Sequence, residues 1–165
     1  MYTKQELTTA IQNEFRIIKH LATKIPADTE GYKPTEGQRT TLELLQYLSY
    51  IFAGVAKAIQ KNDNSIYGPY VEGSATTTVA NFSEKMDEQE KDLVATIAEC
   101  TDEDLQTVIN IYNQGDKTKA AYLVQSLLSW SAAYKMQLFL YIKASGNSAI
   151  GTANLWGGVD MPETN

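Results

Sequence analysis

The amino-acid sequence predicts an all-α fold, a four-helix bundle with long crossover connections. Apolar residues recur every three or four positions in four segments, near residues 4–25, 41–61, 78–99 and 118–145, which is the spacing of one helix face. Four such faces need a common core, and the connections are too long for simple hairpins. At 165 residues, the chain is predicted to form a single domain over 1–165.

The last predicted helix, from Thr118 to Gly146, is the longest and most apolar regular segment. Its inner face consists of residues three or four apart: Leu123, Leu127, Trp130, Tyr134, Leu138 and Tyr141. Further apolar residues widen this face, so the helix is expected to be central in the bundle. Thr118 is the expected N-cap, and Gly146 is the expected left-handed residue at the C-terminal end.

The first two helices each begin with a capping-box pattern. Thr3 and Glu6 form the first pattern, Thr40 and Glu43 form the second, and both have the spacing that satisfies free backbone N–H groups at a helix start. Pro26 is expected to end the first helix. The residues between the two helices form a polar loop.

The third helix and its flanking connections are less regular. Residues 65–78 are predicted to be a loop with ordered aromatic residues, and Gln89 interrupts the inner face of helix 78–99. Gln89 either lies near a bundle end, which is favoured, or faces a polar cavity. After one short turn at Thr101, the β-branched alternation of residues 105–112 favours a short extended segment, with a short helix as the alternative. The apolar residues of tail 147–165 indicate that it folds back onto the bundle.

Composition excludes some functional classes. The net charge is −6 and the pI is about 4.8, so the chain has no electrostatic basis for binding nucleic acid. We also expect no membrane partner and a cytoplasmic location, because neither a signal peptide nor a long apolar run is present and Cys100 is the single cysteine. Cys100 is expected to be a small packing residue rather than a reactive thiol. The single histidine, His20, is expected to be a solvated or packed residue rather than a ligand or a catalytic group.

Three stretches of the sequence resemble the DinB-like superfamily and the related YfiT-like enzymes. They are TLELLQYLSYI in the second helix, SWSAAYKMQLFLYIKASG in the fourth and TANLWGGVD in the tail. Members of this superfamily typically hold zinc or nickel with three histidines, one in the second helix and two, four residues apart, in the fourth. The catalytic members resemble thiol S-transferases or hydrolases.

The resemblance places the three ligand positions on residues that are not histidine. They fall on Tyr47, Trp130 and Tyr134. Indole does not ligate metals, and two neutral phenols are poor ligands for such ions. We therefore expect no metal and no cofactor, with an aromatic cluster at the former metal site. This cluster either fills the volume by packing, which is favoured, or lines a pocket for a small ligand; Tyr50 and Tyr141 are expected nearby.

Two functions remain open at the level of sequence. The first is a non-catalytic DinB-like protein that acts by small-ligand binding or by assembly. The alternative is an enzyme of the DinB-like or YfiT-like class with rebuilt, metal-independent chemistry, in which Tyr47 or Tyr134 acts as a general acid. A role in DNA damage is disfavoured by the acidic charge. Because superfamily members resemble homodimers and the fourth helix is apolar around much of its girth, we also expect a homodimer.

Overall fold

The structure, a computed structural model, describes residues 3–162, which form a helical bundle with almost no strand. Its α-helices are α1 (Lys4–Ala22), α2 (Thr41–Leu48), α3 (Ile51–Lys61), α4 (Tyr67–Ser74), α5 (Phe82–Glu99), α6 (Asp102–Gln106), α7 (Lys119–Val124) and α8 (Trp130–Ala144). Two two-residue strands, β1 (Val108–Ile109) and β2 (Lys117–Thr118), pair antiparallel with Val108 opposite Thr118. The prediction of an all-α fold with a short extended segment near 105–112 is confirmed.

Helix α1 begins where the capping box predicts and ends early. The Thr3 side chain accepts from the Glu6 N–H, and the Glu6 carboxylate accepts from the Thr3 N–H. The helix ends at Ala22 rather than near residue 25. Ile25 precedes a proline, which disfavours helical backbone there, and the Thr23 hydroxyl donates to the His20 carbonyl at 2.7 Å.

The second predicted helix is divided in two, so the prediction of one helix over 41–61 is wrong. Helix α2 ends at Leu48 and α3 begins at Ile51. The Gln89 side chain enters the break: its Oε1 accepts from the N–H groups of Phe52 and Ala53, at 2.9 and 3.2 Å. Its Nε2 donates to the Leu48 carbonyl at 2.8 Å. Gln89 is 5% exposed and lines a partly polar cleft, so the alternative expectation, that it faces a polar cavity, describes it better than the favoured position near a bundle end.

The connection after α3 is more helical than predicted. A 3₁₀ turn at Asn64–Ile66 leads into α4, where a loop was expected. Helix α5 then begins at Phe82 rather than near residue 78. Thr78 and Asn81 explain the later start, because each side chain accepts from the other's backbone N–H. Such local bonds compete with helical backbone bonds.

The fourth predicted helix is present over α7 and α8, with a π-helical turn, Gln125–Ser129, between them. Thr118 is its N-cap and accepts from the Ala121 N–H, as predicted. Gly146 follows the C-terminal end with a φ of +129°, which agrees with the expected positive φ. The helix packs against α1 and α2 and positions the candidate site.

The described part of the tail, residues 147–162, folds back onto α1 as expected; residues 163–165 lie outside the described part of the chain. A π-helical turn at Ala153–Gly157 places Leu155 in the core, 4% exposed. The Arg16 guanidinium holds the turn by donating to the carbonyls of Gly157 and Gly158, at 2.9 and 3.2 Å. Trp156 remains 60% exposed, so it does not bury its ring as its apolar character suggested.

One stretch, Thr41–Lys61, is long and apolar enough to cross a membrane by composition, although 67% of its most apolar window is buried inside the protein. It contains α2 and α3, which pack in the common core with α1 and α5. The stretch is consistent with a soluble protein, because buried core segments of soluble proteins have the same apolar character.

Candidate functional site

Tyr47 and Tyr134 meet between α2 and α8, where the resemblance places two of the three ligand positions. Their ring centroids are 5.0 Å apart. The Tyr134 hydroxyl donates to the Tyr47 oxygen at 3.3 Å. Trp130 lies one helical turn before Tyr134 on α8. All three residues are partly buried and pack against the core from its edge, rather than lying inside it.

Trp130 contacts a second pair of tyrosines that the sequence did not single out. Its ring centroid is 6.2 Å from that of Tyr112, and Tyr112 and Tyr67 join through their hydroxyls. Tyr112 has a φ of +60° in the turn after β1. Tyr67 begins α4, in the segment expected to be a loop. The sequence signals for this pair are weak: the high tyrosine count, ten in the chain, and the ordered aromatic residues expected in 65–78, which include Tyr67.

The two groups form one aromatic cluster, which we define as Tyr47, Tyr50, Tyr67, Tyr112, Trp130 and Tyr134. Tyr50 joins it by an edge-on contact with Tyr47 at 5.5 Å. Tyr67 also lies near enough to Tyr47 and Tyr50 for their phenols to contribute to its raised pKa. Tyr141 lies elsewhere: it packs on Tyr32 at 5.7 Å, and its hydroxyl donates to the Arg39 carbonyl.

The π-helical turn Gln125–Ser129 directly precedes Trp130. Single π-helical turns inside α-helices often occur at functional sites, because the wider turn changes the direction of the side chains that follow. The turn therefore affects the direction in which Trp130 and Tyr134 extend from α8. The apolar spacing in the sequence does not reveal this turn.

Burial raises the pKa of several phenols in the cluster. Loss of solvation raises the pKa of Tyr47, and the hydrogen bond with Tyr134 raises it further. Burial likewise raises the pKa of Tyr50 and that of Tyr112. The Arg39 guanidinium lies 4.2 Å from the Tyr47 ring centroid and opposes the rise at Tyr47. These phenols are neutral near pH 7 and act as hydrogen-bond donors.

Several donors of the cluster are free to meet a ligand. Because the Tyr47 oxygen accepts from Tyr134, its own O–H is left to donate. Within residues 3–162, the Tyr50 hydroxyl and the Trp130 indole N–H make no hydrogen bond to protein, and neither atom is fully buried. The cluster thus presents polar hydrogens at the edge of an aromatic surface.

The donor chemistry does not fit the metal that the resemblance implies. Neutral phenols and an indole are poor ligands for zinc or nickel. In the described part of the chain, no three His, Cys, Asp or Glu residues lie together in a group that could hold a metal ion. His20 is on α1, with its Nε2 3.1 Å from the Asn154 amide, and Cys100 is buried with its pKa raised by loss of solvation.

The architecture is that of the DinB-like proteins. The crystal structure of the DinB-like protein YjoA from Bacillus subtilis superposes on this chain with a TM-score of 0.68, at 21% sequence identity. The match covers 88% of this chain and 95% of that one. No family model matches this chain, and no curated protein matches it. At this identity the likeness establishes the fold alone.

Proposed function

We propose that this chain is a non-catalytic DinB-like protein that binds a small ligand at the aromatic cluster without a metal. The observation that carries the proposal is the set of free donors at an aromatic surface: the Tyr47 and Tyr50 hydroxyls and the Trp130 indole N–H. In rings that only filled a core, these groups would be paired with protein acceptors. The acidic composition and the buried Cys100 support the further proposal of a cytoplasmic location.

The geometry favours a flat ligand that carries oxygen acceptors. The cluster offers hydroxyl and indole donors, and the Arg39 guanidinium stacked on Tyr47 adds a positive charge beside them. An aromatic carboxylate combines a ring for stacking with oxygens for these donors. Rebuilt catalysis is less well supported, because the raised pKa of Tyr47 makes its phenol a weak general acid at neutral pH.

The test combines a metal measurement with a ligand titration on protein made without a histidine tag. We expect no stoichiometric zinc or nickel, a melting temperature that chelators leave unchanged, and saturable quenching of Trp130 fluorescence by benzoate. Trp156→Phe removes the second tryptophan from the signal. The double variant Tyr47→Phe with Tyr134→Phe keeps both rings and should weaken benzoate binding by about tenfold.

Two results would contradict the proposal. One tightly held transition metal per chain, lost on Tyr47→Phe, would show that the site still binds metal. Benzoate binding that the double variant leaves unchanged would show that the free hydroxyls are not the recognition groups. Tyr32→Phe is the matched control, because it removes a phenol outside the cluster.

We also propose that the chain assembles as a homodimer through the outer face of α8. A shallow apolar groove of about 520 Å³ runs beside this helix, with Met136 and Leu140 among its walls. Leu140 is 54% exposed, and apolar residues on one helix face suit a two-fold contact. Sedimentation equilibrium should give a dimer that Leu140→Glu dissociates. An 18.3 kDa monomer at micromolar concentration contradicts assembly.

A further inference from the structure

A second concave site lies between α3, α4 and α5. It is a cleft of about 240 Å³, and its walls include Tyr50, Pro69, Tyr70, Lys85, Glu88 and Asp92. It borders the aromatic cluster only at Tyr50. Ligand sites for drug-sized molecules usually enclose about 300–1,000 Å³, so this cleft suits a smaller molecule.

The cleft carries one uncompensated negative charge. The Lys85 ammonium pairs with the Glu88 carboxylate at 2.9 Å, so their charges cancel. Asp92 has no basic partner within 4 Å among residues 3–162. The Tyr70 hydroxyl donates to the Asp92 carboxylate at 2.5 Å and fixes its orientation. The unpaired charge therefore belongs to a positioned, partly buried carboxylate.

Two tyrosines stand beside this carboxylate. Tyr50 and Tyr70 both line the cleft, and aromatic ring faces attract organic cations in addition to any carboxylate nearby. Burial raises the pKa of Tyr70, and the Asp92 charge raises it further, so the phenol keeps its proton and continues to hold Asp92. Rings and a carboxylate around a small volume are the elements that recognise ammonium groups.

We infer that this cleft binds a small organic ammonium ion, with Asp92 as its counter-ion and the rings of Tyr50 and Tyr70 as its walls. The site is separate from the contact between Tyr47 and Tyr134. The cleft should prefer a cation, whereas the contact between Tyr47 and Tyr134 should prefer a ligand with oxygen acceptors. The inference does not depend on the proposed function, since Asp92 and Tyr70 carry it and the ligand class is different; Tyr50 is the one residue that the two sites share.

The probe is choline, followed in the full chain by ¹H–¹⁵N NMR titration near pH 7. We expect saturable shifts of α4 and α5 amides with millimolar affinity. The alcohol 3,3-dimethylbutan-1-ol has the shape of choline without its charge and should bind about tenfold more weakly. Asp92→Asn keeps an oxygen acceptor for Tyr70 and should also weaken choline binding about tenfold.

Asp87→Asn is the matched control, because Asp87 lies on the same helix and pairs with Lys19 of α1; it should leave choline binding unchanged. Should Asp92→Asn fail to fold, Tyr70→Phe retains the ring but loses the bond to Asp92, and a weaker affinity is expected. The inference is overturned if choline does not saturate the shifts, or if the neutral alcohol binds equally well. Sensitivity to Tyr134→Phe in place of Asp92→Asn would place the ligand in the aromatic cluster and also overturn it.

Discussion

Replacing Gln89 by methionine should destabilise the protein strongly. Gln89 is 5% exposed and makes three hydrogen bonds to backbone groups at the break between α2 and α3, two to N–H groups and one to a carbonyl. Methionine has a similar volume and flexibility but offers neither the acceptor nor the donor. The substitution therefore removes the polar contacts while largely preserving the packing.

The size of the loss follows from the backbone groups left without partners. A buried polar group whose partner is removed costs about 1–3 kcal/mol. Some of the three groups at the break can find partners after small shifts, so we expect a net loss of about 3 kcal/mol. For a chain of this length, that loss lowers the melting temperature by about 6–12 °C.

Urea unfolding with linear extrapolation measures the change, and hydrogen exchange locates it. The amide protons of Phe52 and Ala53 should exchange faster in Gln89→Met. Gln12→Met is the matched control: Gln12 makes one exposed hydrogen bond, to Glu90 at 2.9 Å, and its loss should change stability by less than about 0.5 kcal/mol. A Gln89→Met variant as stable as the control would refute the reasoning. Slow exchange at Phe52 would do so too, because it would mean that α2 and α3 had joined into one helix.

Three further predictions concern the tail and α1. Gly158 has a φ of +58°, and a Cβ there would lie 2.8 Å from the Arg16 guanidinium. Gly158→Ala should therefore cost about 1–2 kcal/mol in thermal unfolding and make the tail more accessible to limited proteolysis. Unchanged cleavage would contradict this prediction. Glu14→Gln should cost about 3 kcal/mol by leaving the buried Lys135, 2.6 Å away, without its counter-charge, and Glu14→Leu with Lys135→Met should recover most of that loss in urea unfolding. Burial lowers the pKa of His20 in the folded chain. As the pH decreases below about 6.5, the unfolded chain therefore binds a proton at His20 before the folded chain does, and the free energy of unfolding decreases. His20→Gln should remove this part of the pH dependence, and an unaltered stability profile would exclude it.

The helix starts could be predicted because their determinants are adjacent in sequence. Thr3 with Glu6 and Thr40 with Glu43 form the predicted reciprocal caps. Thr118 caps α7 by the same local rule. The helix ends were predicted less well than the helix starts. The bond from Thr23 to the His20 carbonyl and the coming proline end α1 before the apolar pattern does.

The candidate site was only partly predictable. Helical spacing and the resemblance pointed to Tyr47, Trp130 and Tyr134, and the structure brings Tyr47 and Tyr134 into contact. Ordered aromatic residues were expected in 65–78, but the contact of Tyr67 with Tyr112 could not be predicted, because it depends on how two distant segments pack. The π-helical turn before Trp130 could not be predicted either, because the spacing of apolar residues does not reveal it.

The sequence by itself determined the all-α class, the four amphipathic segments and the identities of Tyr47, Trp130 and Tyr134, none of which is histidine. These properties depend on residue identity and on spacing of three or four positions along one chain segment. Only the tertiary structure decided the break between α2 and α3, because Gln89 reaches it from a helix that is distant in sequence. It also decided the composition of the aromatic cluster and of the cleft around Asp92. Hydrogen bonds and ring contacts between distant segments depend on how the helices pack, which no local pattern records.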